Sequence, residues 1–397
     1  MRAKTPTKKS VSKSPANSRS VAKLTAKPAL AKFAAAKFGA KPATAKFAAK
    51  LAAGKLVVGK SRGAQPAQSN GNGNGYAKGS LKAKPAARTS WDHSTLHAFA
   101  NGIPRGEKPI VYVNGRMVPK SQAMVSVYDH GLLYGDGVFE GIRIYNRKIF
   151  KCGQHMERLW RSAEAIRLQI PISRDEMVQV IRDCVEANGI VDGYIRLVVS
   201  RGYGTLGLDP RRCPVAGVIC IADQISLYAP EAYERGMRII VAKRPRTPKE
   251  CLDPRIKSLN YLNNILAKVE AIDQGCDEAI MLNLDGCVGE CTGDNIFIVR
   301  NGEVHTPPPD ACILEGITRR FVIDLCTEMG IPYKIRNMRI EDVQSADEVF
   351  LTGSAAEIIA VTQIDDMRIG HGGEGPVTRR LRAKFQSVVT SDHVPED

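Results

Sequence analysis

From residue 107 onward the chain switches between two hydrophobic periods. PIVYVNGRMVP (109–119) alternates apolar and polar positions on either side of Asn114 and Gly115, the pattern of a hairpin with a two-residue turn. IRIYNRKIFK (142–151) reads as a second pair of strands around Asn146. The period then lengthens. In GQHMERLWRSAEAIRL (153–168), Met156, Leu159, Trp160, Ala163 and Ile166 share one helical face. DEMVQVIRDCVEANG (175–189) is another amphipathic helix, ended by glycine. Strands follow at GYIRLVVSR (193–201) and VAGVICIA (215–222), which closes a small α/β unit over 107–225.

A connector around Tyr228 to Arg235 leads to a larger α/β unit, 226–392, opened by the strand MRIIVAK (237–243). Leu262, Ile265, Leu266, Val269 and Ile272 predict a helix that ends near Gly275. AIMLNLDGCVGE (279–290) and NIFIVRNGEVH (295–305) are hairpins turning at Asp285-Gly286 and Asn301-Gly302. A helix from about Ile317 to Met329 and a strand EVFLTG (348–353) complete the pattern. Hairpins mixed with helices argue for an α/β fold of mixed sheets and against a doubly wound parallel one.

Charge divides the chain before any motif does. Residues 1–90 hold 20 Lys and Arg and no acid; the remaining 37 basic residues face all 41 acidic ones. The formal charge of +16 is therefore a property of a basic tail. AKPALAKFAA (26–35) recurs as AKPATAKFAA (40–49), and GNGNG (71–75) makes a flexible joint. So few large apolar residues cannot drive folding, and 1–106 is expected to be a disordered Lys/Ala-rich tail and linker. Such repeats look like the tails of linker-histone-like proteins, which implies weak, sequence-independent nucleic-acid contact. A leader without a role, an artefact of start-site choice and a transit peptide for organelle import stay open as alternatives. The ten cysteines form no CxxC pair, and they are expected to be reduced, mostly buried thiols in a reducing compartment such as the cytoplasm, with no metal site. No apolar run reaches the roughly 20 residues of a membrane span.

Several short stretches carry candidate chemistry. In LDPRIKSLNYLNN (252–264), Lys257 stands alone among neutral and apolar neighbours just before a helix. A solvated loop lysine and a neutral catalytic amine both fit that placement. RGYGTLGLDP (201–210) has GxGxxG spacing after a strand, but Pro210 and Pro214 leave no room for the helix a dinucleotide site needs. VYDHGLLYGDGVFEGIRIY (127–145) is dense in glycine and aromatics, suited to close backbone approach. GECTGDNIF (289–297) puts one carboxylate, Glu290, at the end of a hairpin strand; on the pattern alone it could equally be exposed. LEGITRR (314–320) places Gly316, Ile317 and Thr318 at the mouth of a helix, where free N–H groups could hold a phosphate. TGSAAEI (352–358) is a second small-residue turn after a strand.

Taken in order, HGLLYGDGVFEGIR, HMERL, GYIR, RIKSLNYLNN, GECTGDNIFIV, LEGITR and LTGSAAEI resemble the motifs of branched-chain amino acid aminotransferases, the class IV (fold-type IV) pyridoxal-phosphate enzymes, over about residues 108–390. The resemblance implies two α/β domains with pyridoxal 5'-phosphate at their interface. It implies amino transfer between Leu, Ile or Val and 2-oxoglutarate. Lys257 matches the Schiff-base lysine and proton shuttle, Glu290 the partner of the pyridine nitrogen, and Tyr261 the donor to the phenolic oxygen. Arg158, Ile317, Thr318 and Ser354 match phosphate contacts. Tyr194 and Arg196 resemble the pair near the substrate carboxylate, and the Ala355–Ala356 backbone resembles the carboxylate-binding turn. Phe139, Gly141 and Arg143 resemble pocket-lining residues. Tyr134 resembles a residue reaching across from a partner subunit, which implies at least a homodimer. Within the fold, a D-amino acid aminotransferase would need Arg and His in the loop after the GYIR-like strand; GTLGLDPRRCP has Arg211 and Arg212 but no histidine. An aminodeoxychorismate lyase is the other rival there. A nucleic-acid-binding protein with a secondary enzyme body is the rival of another class.

Overall fold

Asn114 and Gly115 both adopt positive φ, 49° and 87°, and this turn joins β1 (Ile110–Val113) to β2 (Arg116–Pro119). The computed structural model describes residues 109–397, apart from 226 and 229. The lysine-rich tail lies outside the described residues. The first sheet adds β3 (Gly137–Tyr145), β4 (Lys148–Ile149), β5 (Gly193–Ser200) and β6 (Gly217–Asp223) in the order β2-β1-β6-β5-β3-β4, with every pairing antiparallel. A short helix, α1 (His130–Tyr134), precedes β3. Two helices, α2 (Cys152–Ala165) and α3 (Arg174–Asn188), cover one face of the sheet. Met156, Leu159, Met177, Val180 and Ile181 enter its core beside Ile142, Ile195 and Val218. Ser173 caps α3 through a reciprocal box with Glu176, and Gly189 ends it in the left-handed conformation.

The expected connector before the second sheet contains a short helix, α4 (Pro230–Arg235), which the periodicity of the sequence was too brief to reveal. The second sheet is mixed. β7 (Met237–Val241), β8 (Glu278–Leu282), β9 (Val288–Cys291), β10 (Asn295–Arg300), β11 (Glu303–Thr306), β12 (Tyr333–Ile335), β13 (Glu348–Gly353) and β14 (Glu357–Ile364) run in the order β12-β11-β10-β13-β14-β7-β8-β9. β15 (Met367–Arg368) pairs with β14. Three pairings are parallel, β7 with β8, β7 with β14, and β11 with β12. Helix α5 (Leu262–Asp273) crosses over from β7 to β8. α6 (Ile317–Glu328), α7 (Ile340–Gln344) and α8 (Pro376–Val389) complete this half. The two sheets are joined at one corner by an aromatic cluster. Phe150, just after β4, stands edge-on to Phe321 of α6 at 5.2 Å and to Phe385 of α8 at 5.9 Å.

Helix α5 departs from expectation in one respect. Its inner face is Asn264, Ala267 and Ala271, while Leu262, Ile265 and Ile272 are 65%, 54% and 60% exposed. Periodicity located the helix, yet the apolar stripe does not face this chain's core. The cysteines also divide more evenly than composition suggested: five are buried, four partly buried, and Cys251 is exposed. Among the described residues, no helix is long and apolar enough to cross a membrane.

Candidate active site

Lys257 lies on an irregular segment pinned between β3 and helix α2. Phe139 N–H donates to the Lys257 carbonyl at 3.0 Å, and Leu259 N–H donates to the Gly137 carbonyl at 2.9 Å, so the segment runs as a short bridge along β3. From the other side, Lys257 N–H donates to Ser162 Oγ of α2 at 3.2 Å. A side chain on so constrained a backbone has a defined direction. Its ammonium donates to Tyr261 Oη at 3.1 Å and stands 4.5 Å over the Phe139 ring. The Phe139 and Tyr261 rings meet edge-on at 4.9 Å.

Arg158, Lys257, Glu290, Leu314, Ile317, Thr318, Thr352 and Ser354 line one cavity. The hairpin β8–β9 delivers Glu290 to it, and the glutamate is buried. Arg246 donates to Glu290 Oε1 from Nη2 at 2.7 Å and from Nε at 3.1 Å. Asn295 Nδ2 and Leu314 N–H each donate to Oε2 at 3.0 Å. Burial pushes the Glu290 carboxyl up, while Arg246 and the Leu314 N–H pull it back toward the ionised form. Arg158 is buried as well. Its Nε and Nη2 donate to Glu140 at 2.8 and 2.7 Å, and Nη1 donates to the Glu315 carbonyl at 2.9 Å. Burial alone would raise Glu140; Arg158 and His155 outweigh it and hold the carboxyl well below the usual range. A guanidinium has five N–H groups, so this fork is fixed in direction and still has donors for an anion.

The remaining candidates fall into three groups. Tyr194 and Arg196 leave the same face of β5 toward β3, where their register partners are Arg143 and Gly141. Gly141 makes that approach possible, because a Cβ there would lie 1.7 Å from Tyr194 Oη. Arg196 stacks over Phe139 at 4.6 Å and donates to Tyr194 Oη at 3.4 Å, which joins the pair to the Lys257 cluster through one ring. Burial pushes the Tyr194 phenol up. Arg143 instead donates to Glu357 Oε1 at 3.1 Å, and its Nε is buried without a partner. Ala355 and Ala356 sit in the turn between β13 and β14, where the Ala356 carbonyl accepts from Tyr233 Oη at 3.2 Å. Tyr134 is not brought to the Lys257 cavity within this chain. Its Oη accepts from Gly207 N–H at 3.0 Å, beside exposed Leu132, Leu133, Leu206 and Leu208. The glycine-rich loop that carries Gly207 runs into a single 3-10 turn, Pro210–Arg212, with no α-helix behind it.

Three supporting residues escaped the reading of the sequence: Glu140, Arg246 and Asn295. Glu140 and Asn295 lie inside recognisable motifs, and only their partners were missing. Arg246, in KRPRTPKE, is one arginine in a basic run, and nothing local marks it as the buried one.

The cavity suits a phosphorylated pyridine aldehyde by the chemistry of its donors. An amine stands at one side, a carboxylate backed by an arginine at another, and the mouth of α6 with Arg158 at a third. Thr352 Oγ1 is buried on its wall with no hydrogen-bond partner, a hydroxyl left for a bound group. Comparison with known proteins agrees with this composition. The family described as amino-transferase class IV matches residues 137–364. A Methanocaldococcus jannaschii protein, provisionally named a branched-chain-amino-acid aminotransferase, is 46% identical over 280 residues, 70% of this chain and 96% of its own. The branched-chain-amino-acid aminotransferase of Pseudomonas aeruginosa is 36% identical over 71% of this chain and 93% of its own. Among solved structures, the PLP-form (holo-form) of the branched-chain amino acid aminotransferase from Thermobaculum terrenum superposes with a TM-score of 0.65 at 33% identity, covering 72% of this chain and 95% of that one. With its lysine, its glutamate and its two small-residue turns assembled on this fold, and with relatives that match over nearly their whole length, the chain belongs to the class IV aminotransferases.

Proposed function

We propose that the protein is a branched-chain amino acid aminotransferase that moves the amino group between L-Leu, L-Ile or L-Val and 2-oxoglutarate. The observation that carries the reading is the convergence of Lys257, Glu290 and Arg158 on one cavity beside the Gly316–Thr318 and Gly353–Ala356 turns. Pyridoxal 5'-phosphate supplies the electron sink for the pair released when the substrate Cα–H bond breaks. The residues of the chain do the rest. Lys257 Nζ anchors the cofactor and carries the proton between two carbons, and Tyr261 Oη orients it. Glu290, held in place by Arg246, faces the pyridine nitrogen and keeps a proton on it. Arg158, Ile317, Thr318 and Ser354 take the phosphate. Tyr194, Arg196 and the Ala355–Ala356 backbone take the substrate carboxylate, and Phe139, Gly141 and Arg143 shape the pocket.

Profiling L- and D-amino acids against 2-oxoglutarate tests the reading. L-Leu, L-Ile and L-Val should lead; D-Ala as the best donor would replace it with a D-amino acid aminotransferase. Borohydride should fix the yellow cofactor onto Lys257, and Lys257→Ala should lose turnover while staying folded.

The functional unit is a homodimer, supported by the exposed apolar residues around Tyr134 and along α5. The tail, with 20 basic residues and no acid over 1–90, adds weak, salt-sensitive nucleic-acid contact. The scattered cysteines, without a CxxC pair, suit a reducing compartment such as the cytoplasm.

A further inference from the structure

Below the Gly353–Ala356 turn lies a buried acid that the proposed reaction does not use. Asp294 ends the turn before β10, and its carboxyl packs directly under Gly353: a Cβ on residue 353 would lie 2.0 Å from Asp294 Oδ1. Asp294 also lines the cavity with Lys257 and Ser354. Its other oxygen, Oδ2, accepts from Tyr228 Oη at 3.1 Å. Tyr228 Oη stands 3.4 Å from Glu278 Oε2, so one phenol bridges two buried carboxyls. Glu278 is well supplied with donors, taking Lys268 Nζ at 3.0 Å together with Thr292 and Ala279 N–H. No basic side chain makes an ion pair with Asp294 among the described residues. The charged and titratable groups facing it are Tyr228 before α4, Tyr233 of α4, Lys268 of α5, Glu278 of β8, and Glu290 and Cys291 of β9.

We propose that Asp294 is a positioning residue for the anion-holding turn: neutral, it is a floor on which Gly353–Ala356 can take a substrate carboxylate, and ionised, it opposes that carboxylate. The inference rests on the reading of the turn as the carboxylate site. Burial, and then the charge of Glu278, push the Asp294 carboxyl up to about 7. The proton therefore leaves near neutral pH, and the Tyr228 hydrogen bond acts to lower that point. An acid beside an anion site that is half neutral near neutrality makes affinity follow its neutral fraction.

The test uses the full-length holoenzyme and 4-methylvalerate, a branched carboxylate with neither an amino nor an oxo group. Its dissociation constant is measured from the change in cofactor absorbance between about pH 6 and about pH 8. Wild type should bind about tenfold more weakly at the higher pH, because the competent fraction falls by that factor. Asp294→Asn, the shape of the neutral acid, should bind at both with less than about a threefold difference. Tyr228→Phe removes the bond that lowers the acid, so its transition should move to higher pH, a shift that mere loosening of the turn would not produce. An unchanged pH profile in Asp294→Asn overturns the proposal; should that variant lose its cofactor, an unmoved or lowered midpoint in Tyr228→Phe overturns it instead. A wild type that neither binds 4-methylvalerate nor turns over L-Leu overturns the underlying reading as well, and so separates the two failures.

Discussion

Helices α3 and α5 look alike in sequence, each with apolar residues at helical spacing, and the fold treats them oppositely. In α3, Met177, Val180, Ile181 and Cys184 are fully buried against the first sheet. In α5 the larger apolar residues face outward, and small Ala267 and Ala271 lie against Ile240 and Met281 of the second sheet. Small residues let α5 sit close to the sheet, which brings its first turn, and Lys257 just before it, to the cavity. A stripe of Leu, Ile and Val left in water costs free energy, roughly 25 cal/mol per Å² of apolar surface that could have been covered. One helix is explained by its own chain. The other keeps its larger apolar residues exposed on the surface of its own chain.

The largest effects should come from placing a charge on each face. Val180→Asp puts an unpaired carboxylate in a core without a partner and should abolish cooperative folding, followed by circular dichroism on heating. Ile265→Asp, made on the open face, should leave the monomer fold intact and halve the mass seen by light scattering at low micromolar concentration, with activity falling as the dimer is lost. An Ile265→Asp variant that stays at full mass would mean the stripe covers nothing in solution.

A middle-sized effect should follow from filling the inner face of α5. Ala267→Leu overpacks a fully buried position and should cost about 1–3 kcal/mol, read as a lower denaturation midpoint. Turnover should drop more than stability predicts, because the shift is passed along the helix to Lys257.

The smallest contrast concerns the capping residue just before each helix. Ser173→Ala removes the side-chain cap of α3 and should cost about 1 kcal/mol with turnover unchanged. Tyr261 makes no side-chain cap bond to α5, so Tyr261→Phe should leave the melting temperature alone. It should lower kcat instead, since the hydroxyl's partner is Lys257 Nζ.

Local pattern was enough for the elements whose causes are local. Asn-Gly turns at 114–115 and 301–302 reach positive φ as their residue types demand, and both helices begin within a residue of where periodicity put them. The candidate residues Lys257, Glu290, Ile317, Thr318, Ser354 and Arg158 could be named because they lie in short contiguous motifs whose order survives along the chain, and the fold gathers all six at one cavity. What the motifs could not carry was pairing. Arg246 with Glu290, Glu140 with Arg158, and Arg143 with Glu357 are separated by 44, 18 and 214 positions, and a contact across such distances exists only after the sheets have formed.

Amino-acid order by itself determined the periods, the turns, the basic tail and the identity of the candidate site residues, because each depends on neighbours a few residues away. Tertiary structure alone decided which apolar stripe is core and which is surface, that Arg246 is buried while its basic neighbours are not, and that Asp294 lies beneath a glycine 59 positions later. Burial and electrostatic environment are properties of what surrounds a residue in space, and for these positions the surroundings come from distant strands.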